Sequence, residues 1–172
     1  MVAVRAGELA EHSAGVLDMT DIEGVHRMRV ASRRLRAALE IFEPCFPKKP
    51  YKKALRDVKE IADALGERRD HDVAIKALTE SAASASKADR PGIETMIEKL
   101  RREQAEANSA LASYVSPERL ASLGERLKEL VDAAAAEAGV PANGDEPVAI
   151  ERIPPPLSAP LVPAGGGNGT GQ

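Results

Sequence analysis

Along most of this chain the apolar residues recur three and four positions apart, and prolines stand at the breaks between runs. That period belongs to helices burying one stripe against their neighbours, and it differs from the two-residue alternation of half-buried strands. A first short helix is expected over roughly residues 3–17. Thr20 then offers an N-cap with Glu23 three positions on, the spacing of a capping box, so a second helix starts near Asp21 and stops before Pro44. A third helical pattern runs from about Tyr51 to Ser81, with Leu55, Val58, Ala62, Leu65, Arg69 and Val73 near one face and a kink expected at Gly66.

Residues 81–90 read as a Ser/Ala-rich loop, after which Pro91 opens a fourth helix carrying Ile93, Ile97, Leu100, Ala107, Leu111 and Val115. Ser116-Pro117 repeats the cap-and-proline signature, and Leu120, Leu123, Leu127, Leu130, Val131 and Ala134 take a last stripe to Gly139. Aromatic residues are 2% of the chain and there is no Trp, so the core must be built from small and aliphatic side chains. The expected fold is all-α, an antiparallel helical bundle of about five helices. From Val140 the sequence turns to Pro, Gly and Ala without periodicity. Such a segment buries too little apolar surface to offset its ordering entropy, so residues 140–172 are expected to form a disordered tail behind a helical domain of residues 1–139.

Cys45 is the single cysteine, which excludes an internal disulfide. The opening MVAVRAGELAEH has no apolar signal region, and no apolar run reaches the roughly 20 residues that span a bilayer. A cytoplasmic protein without membrane contact is therefore expected. The formal net charge of −3 hides an asymmetry, because residues 24–76 hold fourteen Lys and Arg against eight Asp and Glu. A basic block inside an acidic protein points to a local anion site.

The segment VHRMRVASRRLRAALEIF, residues 25–42, holds most of the arginine in that block. At about 100° per residue, with His26 at zero, Arg29, Arg33 and Arg36 fall at about 300°, 340° and 280°, and Glu40 closes the row. Met28, Ala31, Leu35, Ala38, Leu39 and Phe42 form a separate apolar face, while Arg27 and Arg34 border that face on its other side. His26 to Arg36 spans about 15 Å, a linear array suited to an extended polyanion. Guanidinium forks bind phosphate oxygens bidentately and keep their charge at any physiological pH. The alternative is a solvated face paired with acids from other helices. Against it, arginines at i, i+3 and i+4 repel one another, and a bound anion relieves that repulsion. Lys52, Lys53, Arg56 and Lys59 open the next helix as a second cationic cluster, which either solvates a surface or extends the anion track.

Other chemistries lack their parts. RDHDV, residues 69–73, contains an adjacent His-Asp pair, but a metal-dependent phosphohydrolase needs further ligands, and only His12 and His26 remain. One Glu-x-x-His, residues 23–26, falls short of the paired motifs of a di-iron bundle. No Gly-rich phosphate loop and no nucleophile beside a base stand in the chain, so neither a catalytic residue, a metal site nor a cofactor is expected.

VHRMRVASRRLR, followed by LGERRDHDV at residues 65–73, resembles the conserved histidine α-helical domain family, CHAD. Its signature is a V-H-x-x-R-V-x-x-R-R-L-R helix and then an L-G-x-x-R-D-x-D-V segment. The resemblance implies a helical module that binds inorganic polyphosphate through a basic channel and catalyses no reaction, with an association with polyphosphate granules following from that ligand. By motif match His26, Arg29, Arg33, Arg34 and Arg36 carry over as the basic helix, and Arg69, Asp70 and Asp72 from the second segment. For Arg69, Asp70 and Asp72 a structural role stands beside the binding one, with a carboxylate holding Arg69 near the core.

Family members usually have two pseudo-symmetric halves, whereas the resemblance here covers one, about residues 3–138. The missing half leaves a homodimer or a partner protein to complete the channel, or a degenerate half-domain with little binding. The competing function is a nucleic-acid-binding accessory protein, since phosphate contacts are shared. Two Tyr and two Phe leave little for base stacking, which makes nucleic acid the weaker partner.

Overall fold

A third helix of 37 residues, about 55 Å long, is the spine against which the others are laid. The structure, a computed structural model, describes residues 1–139, and the expected tail at 140–172 lies outside the described residues. The helices are α1 (Val2–Glu11), α2 (Ile22–Ile41), α3 (Lys48–Ser84), α4 (Arg90–Tyr114) and α5 (Pro117–Glu137). A single 3-10 turn, Glu43–Cys45, joins α2 to α3. There is no strand among the described residues. The α3 helix packs on α2, α4 and α5, and α1 fills the space between α2 and α5. None of the helices among the described residues is long and apolar enough to cross a membrane.

Leu9, Met28, Leu35, Leu39, Ile61, Leu65, Leu111, Leu127 and Leu130 form the centre of the core, all of them buried. Each such side chain stabilises the fold by about 1.5–3 kcal/mol relative to exposure. The two largest aromatics inside, Phe46 and Tyr51, stack at 6.1 Å near the start of α3.

Several boundaries differ from the periodicity, each for a local reason. The α1 helix ends at Glu11, not at 17, because the Ser13 hydroxyl donates to the Ala10 carbonyl at 2.6 Å and Gly15 takes a left-handed φ of 77°. The chain turns there, yet Val16 is still buried. The cap of α2 is Asp21 and not Thr20: its carboxylate accepts from the backbone N–H of Glu23 at 3.1 Å and Gly24 at 3.0 Å. Thr20 instead donates to Asp18. A carboxylate is the better cap, because the helix N-terminus carries positive partial charge.

The α3 helix starts upstream of Tyr51, at Lys48, with Pro50 in the first turn, where a missing N–H costs nothing. It runs without a break through Gly66. Val73, expected on the buried face, is 52% exposed. By that point α3 has passed the start of α2, whose first residue, Ile22, stands beside Arg69. At α5 the Ser116 hydroxyl accepts from the Arg119 N–H at 3.3 Å with Pro117 as the first helical residue, as expected.

Candidate anion-binding site

The α2 helix buries Val25, Met28, Ala31, Leu35, Ala38 and Leu39 and turns its remaining surface outward. Ser32, fully buried, stays in the helix by donating its hydroxyl to the Arg29 carbonyl at 2.9 Å. With that face fixed in the core, the positions of the arginines follow. His26, Arg33 and Arg34 are exposed, and Arg29 and Arg36 are half-buried.

The cations divide by partner. Arg27 lies 3.0 Å from Asp21, and the Arg36 Nε donates to Glu40 at 2.9 Å. That bond, the Glu40 charge and the more distant Asp63 charge on α3 raise the Arg36 pKa above its ordinary value. Among the described residues no carboxylate lies within salt-bridge distance of His26, Arg29, Arg33 or Arg34. Arg34 sits on the α1 side, where it contributes to lowering the Glu8 pKa. The largest cause of that shift is the hydrogen bond that Arg5 gives Glu8.

Two contacts fix the antiparallel register of α2 and α3. Near the start of α2 the Arg69 Nη1 donates to the Ile22 carbonyl at 3.0 Å, and just past its end the Tyr51 hydroxyl donates to Glu43 at 3.2 Å. Between these points the register puts Lys59 about level with Arg33 and Lys52 just beyond Glu40. Both lysines lie toward the α2 edge of α3 at about 100° per residue, and neither has a salt bridge among the described residues. Arg56 is 3.8 Å from Glu60 and largely exposed. Lys53 does not join this group. It lines a separate hollow with Lys49, Arg126 and Glu129, on the side of α3 that meets α5.

The second motif splits into different jobs. Arg69 is half-buried and ties α3 to the first turn of α2, with its Nη2 4.0 Å from Glu23, so it holds the basic helix in place. Asp70 is exposed. Asp72 is buried and binds Arg68, a residue the sequence reading passed over in favour of Arg69. Arg68 is fully buried, and the Gln104 amide on α4 donates to the same Asp72 oxygen at 2.6 Å. The i, i+4 spacing of Arg68 and Asp72 was the available signal for this pair.

The chemistry this arrangement offers is charge. Along the outer face of α2, His26, Arg29 and Arg33 are presented without a salt bridge among the described residues, and Lys59 adds a cation from the neighbouring helix, with Asp63 of α3 near enough to act on Arg36. Among the described residues no three His, Cys, Asp or Glu side chains are grouped to hold a metal ion. A hollow of about 590 Å³ lies between α1 and α5, lined mostly by Ala, Gly and Leu residues, and includes none of the stripe residues.

A helical bundle with one cationic helix face is thus the class of protein that the fold and the site define. The CHAD domain family model matches residues 2–158, and the chain belongs to that family. The match runs past residue 139, where the composition changes, to residue 158. No curated protein and no solved structure matches the chain.

Proposed function

We propose that this protein is a non-catalytic module that binds inorganic polyphosphate along the outer face of α2. The observation that supports this reading most is that His26, Arg29 and Arg33, on one face of α2, have no salt-bridge partner among the described residues. Several arginines elsewhere among the described residues are matched: Arg5 with Glu8, Arg119 with Glu60, Arg126 with Asp57 and Arg68 with Asp72. Arg90, Arg101 and Arg102 on α4 have no salt bridge among the described residues either, but they do not repeat over successive turns of one face as Arg29 and Arg33 do. A flexible phosphate chain brings several closely spaced charges and no base, which suits a row of guanidinium groups with no aromatic platform beside it. Membership of the CHAD domain family supports the same ligand. The binding takes place in the cytoplasm, at polyphosphate granules where these form, and with one basic helix in the chain a second copy or a partner protein supplies the far wall of a channel.

Competition between polyphosphate and single-stranded RNA of matched charge tests the reading. Both ligands weaken as salt rises, because both release counterions. Polyphosphate is expected to displace RNA and to resist displacement by it. Equal competition would move the function to general nucleic-acid binding.

A further inference from the structure

We propose that Glu40 limits the run of phosphates this site engages, so that a chain of any length is held through a short segment while Arg36 and Lys52 stay outside it. The inference rests on the phosphate-binding reading above and adds a specificity-determining residue to it.

On this face of α2 the cations without a salt bridge among the described residues are His26, Arg29 and Arg33, with Lys59 beside the last of them. They cover about 10 Å, which at about 3 Å per phosphoanhydride link corresponds to about four phosphates. The next arginine of the row differs. Arg36 is held by Glu40 at 2.9 Å and drawn further by the charge of Asp63. Beyond Glu40 the register places Lys52, again without a salt bridge among the described residues. Two groups of cations on one face are thus separated by a carboxylate, whose side chain is 44% exposed.

The ion pair of Arg36 and Glu40 is weak as a bond, as exposed i, i+4 pairs are. Its effect on a ligand is larger. A phosphate reaching Arg36 must displace the Glu40 carboxylate and then remain within one helical turn of it, where the two negative charges repel. At the other end of the row Glu23 is 58% exposed beside Arg69, and Asp21 is occupied as the cap and by Arg27. Carboxylates therefore stand at both ends of the unpaired cations. Neutralising Glu40 removes one stop, frees Arg36, and joins it to Lys52.

The test is the salt dependence of binding, measured by calorimetry with tetrapolyphosphate, which just fills the run, and with chains of tens of phosphates. The proteins are the wild type, Glu40→Gln and the control Glu98→Gln, an exposed residue on α4 that changes net charge equally. In the wild type the slope of log K against log salt is expected to be about −2 to −3 and the same for short and long chains, reflecting three or four engaged cations. In Glu40→Gln the slope steepens by about 1.5 for the long chains only, as Arg36 and Lys52 enter, and Glu98→Gln matches the wild type. A wild-type slope that grows with chain length, or a Glu40→Gln protein with the wild-type slope on long chains, overturns the proposal. Absence of salt-dependent binding to every chain overturns the phosphate-binding reading itself, and is a different result from either.

Discussion

Arg68 and Arg33 carry the same charge in opposite surroundings. Arg68 is fully buried between α3 and α4, with Asp72 on its guanidinium and Gln104 on that carboxylate. Arg33 stands exposed on α2 with no carboxylate in salt-bridge range among the described residues. A charge inside a bundle must be matched, because desolvation there costs several kcal/mol per ion (about 3–5 when a partner is removed). A charge on the surface is tolerated by water without a partner. The lesson is that the arginine inside this bundle is paired and holds the fold, whereas Arg29 and Arg33 on the α2 face have no carboxylate in salt-bridge range among the described residues, and it is there that the proposed ligand is placed.

The sharpest way to break that contrast is inside. Asp72→Ala leaves Arg68 unpaired in the core and is expected to destabilise the fold by about 3–5 kcal/mol, read as a shift of the urea midpoint. The double variant Arg68→Met, Asp72→Leu is expected to recover most of that loss, since an apolar pair of similar volume needs no partner. Wild-type stability in Asp72→Ala would mean the buried pair is not structural.

A smaller effect is expected where α2 begins. Asp21→Ala removes the carboxylate that caps Glu23 and Gly24, and about 1 kcal/mol with it. Amide exchange should speed up in the first turn, next to His26. A change spread evenly over α2 would argue against a local cap.

Outside, Arg29→Ala with Arg33→Ala is expected to change stability by no more than about 0.5 kcal/mol, as surface substitutions do. The sign should favour the variant, because these two arginines lie four positions apart and repel. Thermal denaturation decides it, and a loss of several degrees would return both residues to a structural role.

The smallest effect belongs to pH. The hydrogen bond from Arg5 holds the Glu8 carboxyl below its ordinary value of 4.5, and Thr20 holds Asp18 below 3.8. Lowered carboxyl pKa values contribute stability that is complete above those values and fades as pH falls through the folded-state titrations. Stability is therefore expected to decline on acidification below about pH 4.5, with a flatter profile in Glu8→Gln. An unchanged profile would show that this half-buried pair adds nothing measurable.

Helix order, the apolar face of α2 and the ends marked by Pro44 and Ser116-Pro117 were legible because each depends on local spacing. The finer placements depended on neighbours. Arg68 and Arg69 sit about 100° apart on α3, and which of them enters the core is decided by Gln104 on α4 and by the start of α2, neither of which is local. The same holds for Lys53, which belongs with Lys52 in sequence yet faces Arg126 of α5. Thr20 and Asp21 are adjacent cap residues, and Asp18 settles the choice by engaging Thr20. The stripe itself was readable, but its division into free and paired arginines was not, because Glu40 closes the row in sequence without showing that it takes Arg36.

The central claim is that unpaired arginines on α2 hold a phosphate chain, and isothermal titration of polyphosphate into the wild type and the Arg29→Ala, Arg33→Ala protein tests it most directly. Losing two charge-assisted contacts is expected to weaken binding by about 100-fold or more, with the helical circular dichroism unchanged. Equal affinity in a variant that remains folded would contradict the account.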